Sequence, residues 1–207
     1  MTPLQRINIY SLLFLLLSTI MSFSLNKEVS DKKITSNNIA AAQTVSVLIK
    51  GTSTLHDWQM KSNKGRVEIL LGLGDNAKLL GLSALKFSME AESLKSDKTM
   101  MDKNAYKALK TSSSKNISFV LSSAAISQVN ETTYQIKAIG NLTVAGTTRE
   151  TDVVANLKYS AADKSFTVTG TKKLKMTEYN VEPPSFMMGA VKTGDEITIA
   201  FQTKITQ

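Results

Sequence analysis

Apolar and polar residues alternate along most of the chain after residue 43. Between 134 and 144, for example, Tyr134, Ile136, Ala138 and Leu142 share one phase, while polar residues such as Lys137 take the other. A period of two places successive side chains on opposite faces of a β-strand. The pattern therefore predicts an all-β protein whose strands bury one face and expose the other.

Eight segments carry this pattern, and short turns separate several of them. The segments are 44–51, 57–71, 85–91, 116–128, 134–144, 148–159, 165–176 and 197–205. Reversals that contain Gly, Asn or Asp occur at 72–76, 130–131, 145–146 and 162–163. Such short turns join antiparallel strands, whereas parallel strands need long crossovers. We therefore expect neighbouring strands to be antiparallel.

One interruption of the alternation has the period of a helix. Between the third and fourth strands, Met101, Ala105 and Leu109 are spaced four residues apart. This spacing predicts one short helix, with Asp97 or Thr99 as the residue that caps its start.

A second interruption spans residues 177–194. It contains the adjacent residues Pro183 and Pro184, which cannot lie in a central strand. We expect a long loop before the last strand. Its apolar residues either cap the core or form a lid over a ligand entrance.

Eight long antiparallel strands with one apolar face have two common arrangements, a closed barrel and a two-sheet sandwich. A barrel of this size can enclose one apolar ligand. The inward phase holds Met60, Met89 and Met176 and small residues such as Ala155 and Gly170. Small residues leave space, and methionine adapts to irregular apolar shapes but also fills ordinary cores.

The N-terminal segment indicates export. Arg6 precedes an apolar run at 7–25, and the small residues Ser22 and Ser24 lie near its end. Residues 1–24 are therefore predicted to be a signal peptide. The alternative is an uncleaved membrane anchor, because the run is almost long enough to cross a bilayer. Residues 25–42 are polar and without periodicity, which predicts a flexible leader before a folded domain at 43–207.

Composition excludes several kinds of chemistry. The 207 residues contain no cysteine and a single histidine, His56, so thiolate metal sites, disulfides and three-histidine centres are impossible. The net charge is +8, and Arg6 is the only charged residue among the first 26, so the rest has 24 basic and 17 acidic residues, or +7. Most lysines are scattered over outward positions, and only Lys172, Lys173 and Lys175 suggest a patch. This argues against nucleic-acid binding and allows transient contact with an anionic membrane surface.

Several short motifs resemble one family. The segment 51–58, Gly-Thr-Ser-Thr-Leu-His-Asp-Trp, resembles the opening of YceI-like proteins, and 93–96 followed by 108–110 and 117–119 resembles their strand, helix and next strand. Residues 140–148, Gly-Asn-Leu-Thr-Val-Ala-Gly-Thr-Thr, are similar to the family's hairpin, and the close of the chain, at 176–189 and 193–197, also resembles members of the family. The resemblance covers about residues 43–206, and the order and spacing of the motifs carry it.

This resemblance implies an eight-stranded antiparallel lipocalin-like barrel in the bacterial periplasm, with one short helix between strands 3 and 4. It also implies a long cavity for a polyisoprenoid, an isoprenoid quinone or a similar long-chain lipid, without a cofactor or a metal. The chain departs from the family pattern at Met101-Asp102 and at 179–181, so a headgroup preference cannot be carried over.

Inward-phase residues and the second interruption supply the candidate ligand-binding side chains. They are Trp58, Phe87, Met89, Phe119, Leu121, Tyr134, Ile136, Leu142, Phe166, Phe186, Met187 and Phe201. Trp58, the only tryptophan, either plugs the barrel end or belongs to the ligand wall. Phe186 and Met187 are candidate lid residues.

Three functions are compatible with the sequence. The favoured one is a non-catalytic carrier or sequestering protein for an isoprenoid lipid. The alternatives are a ligand-free envelope domain with a filled interior and an enzyme of lipid or quinone metabolism. We do not expect catalysis, because His56 and Asp57 begin a strand without any accompanying nucleophile motif. A monomer and a homodimer are both possible, the latter through outward apolar residues such as Val120, Ile139 and Val154.

Overall fold

The structure is a computed structural model that describes residues 37–206. It contains nine strands and one α-helix, together with short 3₁₀ turns. The strands are β1 (Asn37–Ser53), β2 (Trp58–Leu73), β3 (Leu79–Glu90), β4 (Asn116–Gln128), β5 (Thr133–Val144), β6 (Thr147–Ser160), β7 (Ser165–Lys175), β8 (Ser185–Phe186) and β9 (Val191–Thr206), and the helix is α1 (Thr99–Ala108). The predicted signal peptide at 1–24 and the part of the predicted leader at 25–36 lie outside the described residues.

Eight of these strands form a closed antiparallel barrel. Strands β1 to β7 follow one another around the wall, β9 pairs with β7, and β1 pairs with β9 to close the ring. Each barrel strand therefore has a partner on both sides, which limits exposed strand edges. The shortest ladder joins residues 86–90 of β3 to residues 116–120 of β4. The prediction of an antiparallel barrel with a helix between its third and fourth strands is confirmed.

The first strand begins earlier than the sequence predicts. The leader was expected to extend to residue 42, but residues 37–42 pair with residues 68–73 of β2. An antiparallel ladder is made by backbone groups, so a segment without alternation can extend a strand whose neighbour is already long. The last strand likewise begins at Val191 rather than at residue 197.

Strand alternation divides the wall into an inner and an outer face. In β5, Tyr134, Ile136, Ala138, Gly140 and Leu142 are buried, and the residues between them are exposed. The period-two pattern that predicted this strand is thus the pattern of its burial.

Helix α1 lies in the connection between β3 and β4, but its cap differs from the prediction. The N-cap residue is Lys98, and its side chain forms no capping bond. Asp102 in the first turn instead accepts hydrogen bonds from the backbone N–H and the hydroxyl of Ser96, at 2.8 and 2.7 Å. Asp97 pairs with Lys61 at 3.3 Å. The helix start is therefore held by a buried carboxylate that reaches back to the preceding turn.

The two ends of the barrel differ. The turns between β2 and β3, between β4 and β5 and between β6 and β7 are short and lie at one end, which we call the closed end. Large side chains fill the interior there, namely Leu71, Leu73, Leu79, Tyr134 and Phe166, all of which are buried. The rings of Phe166 and Tyr159 lie 5.0 Å apart. The opposite end, the open end, holds the loop between β1 and β2, the connection with α1, and residues 176–190.

The second interruption is ordered in two parts. Residues Met176–Tyr179 form a 3₁₀ turn, after which Tyr179 and Val181 are buried against Phe119 and Leu174. Beyond the two prolines, the short strand β8 pairs with the start of β9 as a hairpin. The first part therefore caps the core, and the second part lies at the rim of the open end.

Candidate functional site

The barrel encloses one large apolar cavity with a volume of about 680 Å³. All eight barrel strands contribute to its wall, and α1 and the hairpin of β8 and β9 border it at the open end. Leu55, Met100 and Phe186 line the cavity and are also exposed to solvent, with exposed fractions of 69%, 70% and 38%. The cavity thus opens at this end, while the side chains at the closed end seal it.

Most of the predicted binding residues lie on this wall. The cavity is lined by Trp58, Phe87, Met89, Phe119, Ile136, Leu142, Phe186 and Phe201. Each of the seven strand residues in this set belongs to the inward phase of its strand, whereas Phe186 reaches the rim from β8. Their assignment as ligand contacts remains a prediction.

Three predicted residues do not line the cavity. Tyr134 and Phe166 are buried at the closed end, where they pack with the core instead of facing open space. Leu121 is half-buried beside a register shift between β4 and β5, and it packs against the core clusters. The side chain of Met187 lies outside the described part of the chain.

Further residues of the inward phase line the cavity but are not among the predicted binding residues. They include Val45, Val47, Ile49, Met60, Ile69, Leu82, Ala155, Leu157, Val168, Ile197, Ile199 and Ile205. All of them lie on barrel strands, in the phase that faces the interior. The apolar face of the helix is a second missed contribution, through Met101 and Ala105. The inward phase could have identified these residues, but it does not distinguish a cavity wall from a packed core.

Glycines hold the large aromatic side chains against the wall. A Cβ atom on Gly51 would lie 2.5 Å from Cε2 of Trp58 and closer still to Cζ2, so the indole occupies the space that a side chain would need. Gly51 and Trp58 are directly opposite each other on β1 and β2. Large rings that lie flat over a neighbouring glycine occupy less of the interior.

The same arrangement recurs around the barrel. The other pairs are Gly65 with Phe87, Gly140 with Phe119, and Gly170 with Phe201. Four of the aromatic residues that line the cavity thus lie over glycines of adjacent strands. This arrangement explains how a barrel with many large inward residues still contains open volume.

Polar groups at the cavity are few and do not form a catalytic cluster. The polar lining residues are Ser53, His56, Lys98, Asn104, Lys172, Tyr179, Thr193 and Thr203, and among the residues that the structure describes no carboxylate lines the cavity. The Nδ1 atom of His56 lies 2.8 Å from the backbone oxygen of Asp57 rather than from its carboxylate. The imidazole and the carboxylate of these two residues therefore do not form an acid–base pair, as expected from the sequence.

Two polar residues of the wall, Tyr179 and Lys172, place no charge in the cavity. Burial raises the pKa of the Tyr179 hydroxyl, so this group stays uncharged. Lys172 lies in the inward phase of β7, but its ammonium group leaves the wall and binds Asp152 on β6 at 2.9 Å. The hydrogen bond from Lys172 lowers the pKa of that carboxyl. The interior thus presents an almost entirely apolar surface, suited to dispersion contacts and burial of an apolar chain.

Within residues 37–206, no cluster of three or more His, Asp or Glu side chains is placed to hold a metal ion. No helix in this part of the chain is both long enough and apolar enough to cross a membrane.

Solved structures with the same fold include two bacterial proteins. BcnA of Burkholderia cenocepacia superposes with a TM-score of 0.63 at 17% identity, over 78% of this chain and 96% of that one. A polyisoprenoid binding domain from Saccharophagus degradans, implicated in plant cell wall breakdown, superposes with a TM-score of 0.58 at 9% identity, over 81% of this chain and 99% of that one. At these identities the likeness concerns the fold.

A third solved structure, a mutant YceI protein of Campylobacter jejuni, has a TM-score of 0.52 at 13% identity and covers 70% of this chain and 84% of that one. No curated protein matches the chain at a significant level. The family model of the YceI-like domain matches residues 39–205, which is nearly the whole of the barrel. The chain therefore belongs to the YceI-like family.

Proposed function

We propose that this protein binds one long-chain isoprenoid lipid, a polyisoprenoid or an isoprenoid quinone, and carries or sequesters it without chemical change. The observation that carries this proposal is the apolar cavity of about 680 Å³, open at one end and sealed at the other. Small-molecule sites typically have volumes of about 300–1,000 Å³ and bury most of the ligand surface.

The chemistry of the wall supports a binding role over catalysis. An enzyme of lipid metabolism needs a positioned acid, base or nucleophile near the reacting atoms. The polar lining residues of the described barrel include no carboxylate, and the hydroxyl of Ser53 bonds the backbone of His56 rather than its imidazole ring. Binding of an apolar chain requires only a dry wall of matching shape and no cofactor.

The ligand class is supported by relatives as well as by geometry. One protein with this fold is described as a polyisoprenoid binding domain. An isoprenoid chain is branched and unsaturated, and methionines such as Met60, Met89 and Met176 offer adaptable contacts to such a shape. We place the protein in the bacterial periplasm on the basis of the predicted signal peptide.

Native mass spectrometry of the protein purified from its own envelope fraction tests this proposal. The expected result is an added mass that disappears after organic extraction and is identified in the extract as an isoprenoid. Protein that is purified without a bound ligand is then incubated with ubiquinone and with a polyprenol. Failure to take up either compound would leave the ligand-free envelope domain as the better explanation.

A further inference from the structure

Exposed apolar side chains surround the cavity opening. Leu55 in the loop between β1 and β2, Met100 at the start of α1, and Phe186 in β8 line the cavity and face solvent. Met188, two residues beyond Phe186, is fully exposed. We refer to these four residues as the apolar rim. Exposed apolar groups of this kind mark contact sites for proteins or membranes.

The rim residues come from separate segments that hydrogen bonds hold together. The backbone N–H of Thr54 donates to the carbonyl of Lys192 at 3.0 Å, and the N–H of Lys192 donates to the hydroxyl of Thr54 at 3.2 Å. These bonds attach the loop that carries Leu55 to the β8–β9 hairpin. Thr193 N–H also donates to the carbonyl of Pro184 at 3.0 Å.

Met188 occupies an unusual backbone conformation. Its φ angle is +56°, in the left-handed region that non-glycine residues rarely adopt. The turn thus keeps a large apolar side chain fully in solvent at a backbone cost.

Positive charge lies on the α1 side of the rim, whereas residues 176–196, which carry Phe186 and Met188, hold four acidic residues and one lysine. The connection from 95 to 115, which contains α1, has six lysines and two aspartates, a formal balance of +4. All six lysines are exposed. Of the two aspartates, Asp102 is buried and Asp97 is paired with Lys61. An exposed apolar group flanked by lysines matches the acyl and headgroup layers of an anionic bilayer.

We propose that the apolar rim docks on the surface of an anionic phospholipid bilayer, so that lipid passes directly between the bilayer and the cavity. This inference rests on the proposed function for its purpose. The exposed lysines on the α1 side of the rim favour an anionic bilayer as its partner.

Single-cysteine labelling locates the contact, because the chain has no cysteine of its own. An environment-sensitive fluorophore is attached to Met188→Cys and, as the matched control, to Val129→Cys, which is 61% exposed in the turn between β4 and β5 at the closed end. Vesicles contain equal parts of phosphatidylcholine and phosphatidylglycerol. We expect the label at 188 to brighten and shift to shorter wavelength, and the label at 129 to remain unchanged. Salt at ~1 M, where the Debye length is only ~3 Å, should weaken the response.

Residues 7–25 are apolar and could hold every variant at a vesicle, so the position of the label, not total binding, tests the rim. Equal responses at 188 and 129, or none at 188, would overturn the proposal. A response at 188 without vesicles that grows with protein concentration would assign the rim to self-association instead.

A second variant separates this proposal from the proposed function. Lys103→Glu with Lys107→Glu changes exposed residues that do not line the cavity. This variant should take up ubiquinone added from ethanol as the wild type does, and should exchange it with anionic vesicles more slowly. Wild-type protein that takes up no isoprenoid from ethanol would refute the proposed function. Equal rates of exchange with vesicles in the wild type and the variant would refute docking of the apolar rim on the bilayer.

Discussion

The contact between Gly51 and Trp58 makes a sharp prediction about the cavity. In Gly51→Ala, the new Cβ would approach Cε2 of Trp58 to 2.5 Å, whereas ordinary contacts begin near 3.4 Å. The indole must therefore move by about 1 Å or more to restore normal carbon–carbon separations. The backbone of Gly51 is outside the left-handed region, so alanine causes no strain there. Since Trp58 lies between the wall and the cavity, it should move into the cavity.

The energetic cost follows from what the indole loses. Its Nε1–H donates to the carbonyl of Thr52 at 2.9 Å, and losing that bond costs about 0.5–1.5 kcal/mol. A distorted rotamer of the indole costs about 0.5–1.5 kcal/mol more. Replacing a strand glycine by alanine stabilises the folded state by about 0.5–1 kcal/mol, which offsets part of this cost. The net destabilisation is about 1 kcal/mol, which lowers Tm by about 2–4 °C in a domain of this size. Stability should thus fall slightly while ligand capacity falls strongly.

Tryptophan fluorescence measures this displacement directly, because Trp58 is the only tryptophan. We expect emission at shorter wavelength in Gly51→Ala and reduced uptake of ubiquinone. The control is Gly81→Ala, where a Cβ would meet nothing within 4 Å. Emission and uptake that match the wild type in Gly51→Ala would refute the argument that the glycine keeps the indole out of the cavity.

Three further substitutions test the sealed end, the open volume and the covering segment. Phe166→Ala removes a fully buried ring at the closed end and should lower the free energy of unfolding in urea by about 3–5 kcal/mol. Phe201→Ala truncates a side chain that already borders open space, so its cost should be clearly smaller. Equal costs would contradict the distinction between a filled closed end and a cavity wall. Met89→Trp should abolish isoprenoid uptake with little change in stability, because the added volume enters the cavity; a loss of about 1–3 kcal/mol would indicate a filled core instead. Asp195 accepts hydrogen bonds from the N–H and hydroxyl of Thr177, and these bonds lower the pKa of its carboxyl from the ordinary value of 3.8. The stabilisation by this carboxylate is therefore present above its pKa in the unfolded chain, and it is lost as the pH falls through its pKa in the folded protein. The protection of the amides in residues 176–181, measured as their exchange rate relative to the unfolded chain at the same pH, should fall on acidification below about pH 4 in the wild type. It should be low already at neutral pH in Asp195→Asn, and protection equal to the wild type's in that variant would contradict the role of the carboxylate.

The alternation of apolar and polar residues predicts the eight barrel strands and their buried faces, but not the short strand β8. It could not predict the extent of β1, because the pairing of residues 37–42 depends on β2 rather than on their own side chains. The alternation also does not distinguish residues that line the cavity from residues that fill the closed end. Ile136 and Tyr134 share one phase of β5, yet only Ile136 borders the cavity, because Tyr134 lies nearer the closed end.

Cross-strand register explains two further limits of the sequence. The space that admits Phe201 arises from Gly170, which is its direct neighbour on β7 only after β9 has closed the ring. Lys172 appears misplaced in an inward phase, but a long side chain can direct its charge away from an apolar surface. It reaches Asp152 beyond the point where the β6–β7 ladder ends at Val154 and Thr171. Both features depend on pairs of strands and therefore cannot be identified from one segment.

The position of the opening, by contrast, follows from counting the connections. In a barrel of successive antiparallel strands, the first, third, fifth and seventh connections must lie at the same end. The first carries Leu55, the third contains α1, and the seventh contains the two prolines and β8. The third and seventh connections are the long ones, whereas the first has four residues and the fifth two, as short as the turns at the other end. The two segments that interrupt the alternation, 95–115 and 176–190, are therefore both odd-numbered connections, and they border the opening at their common end.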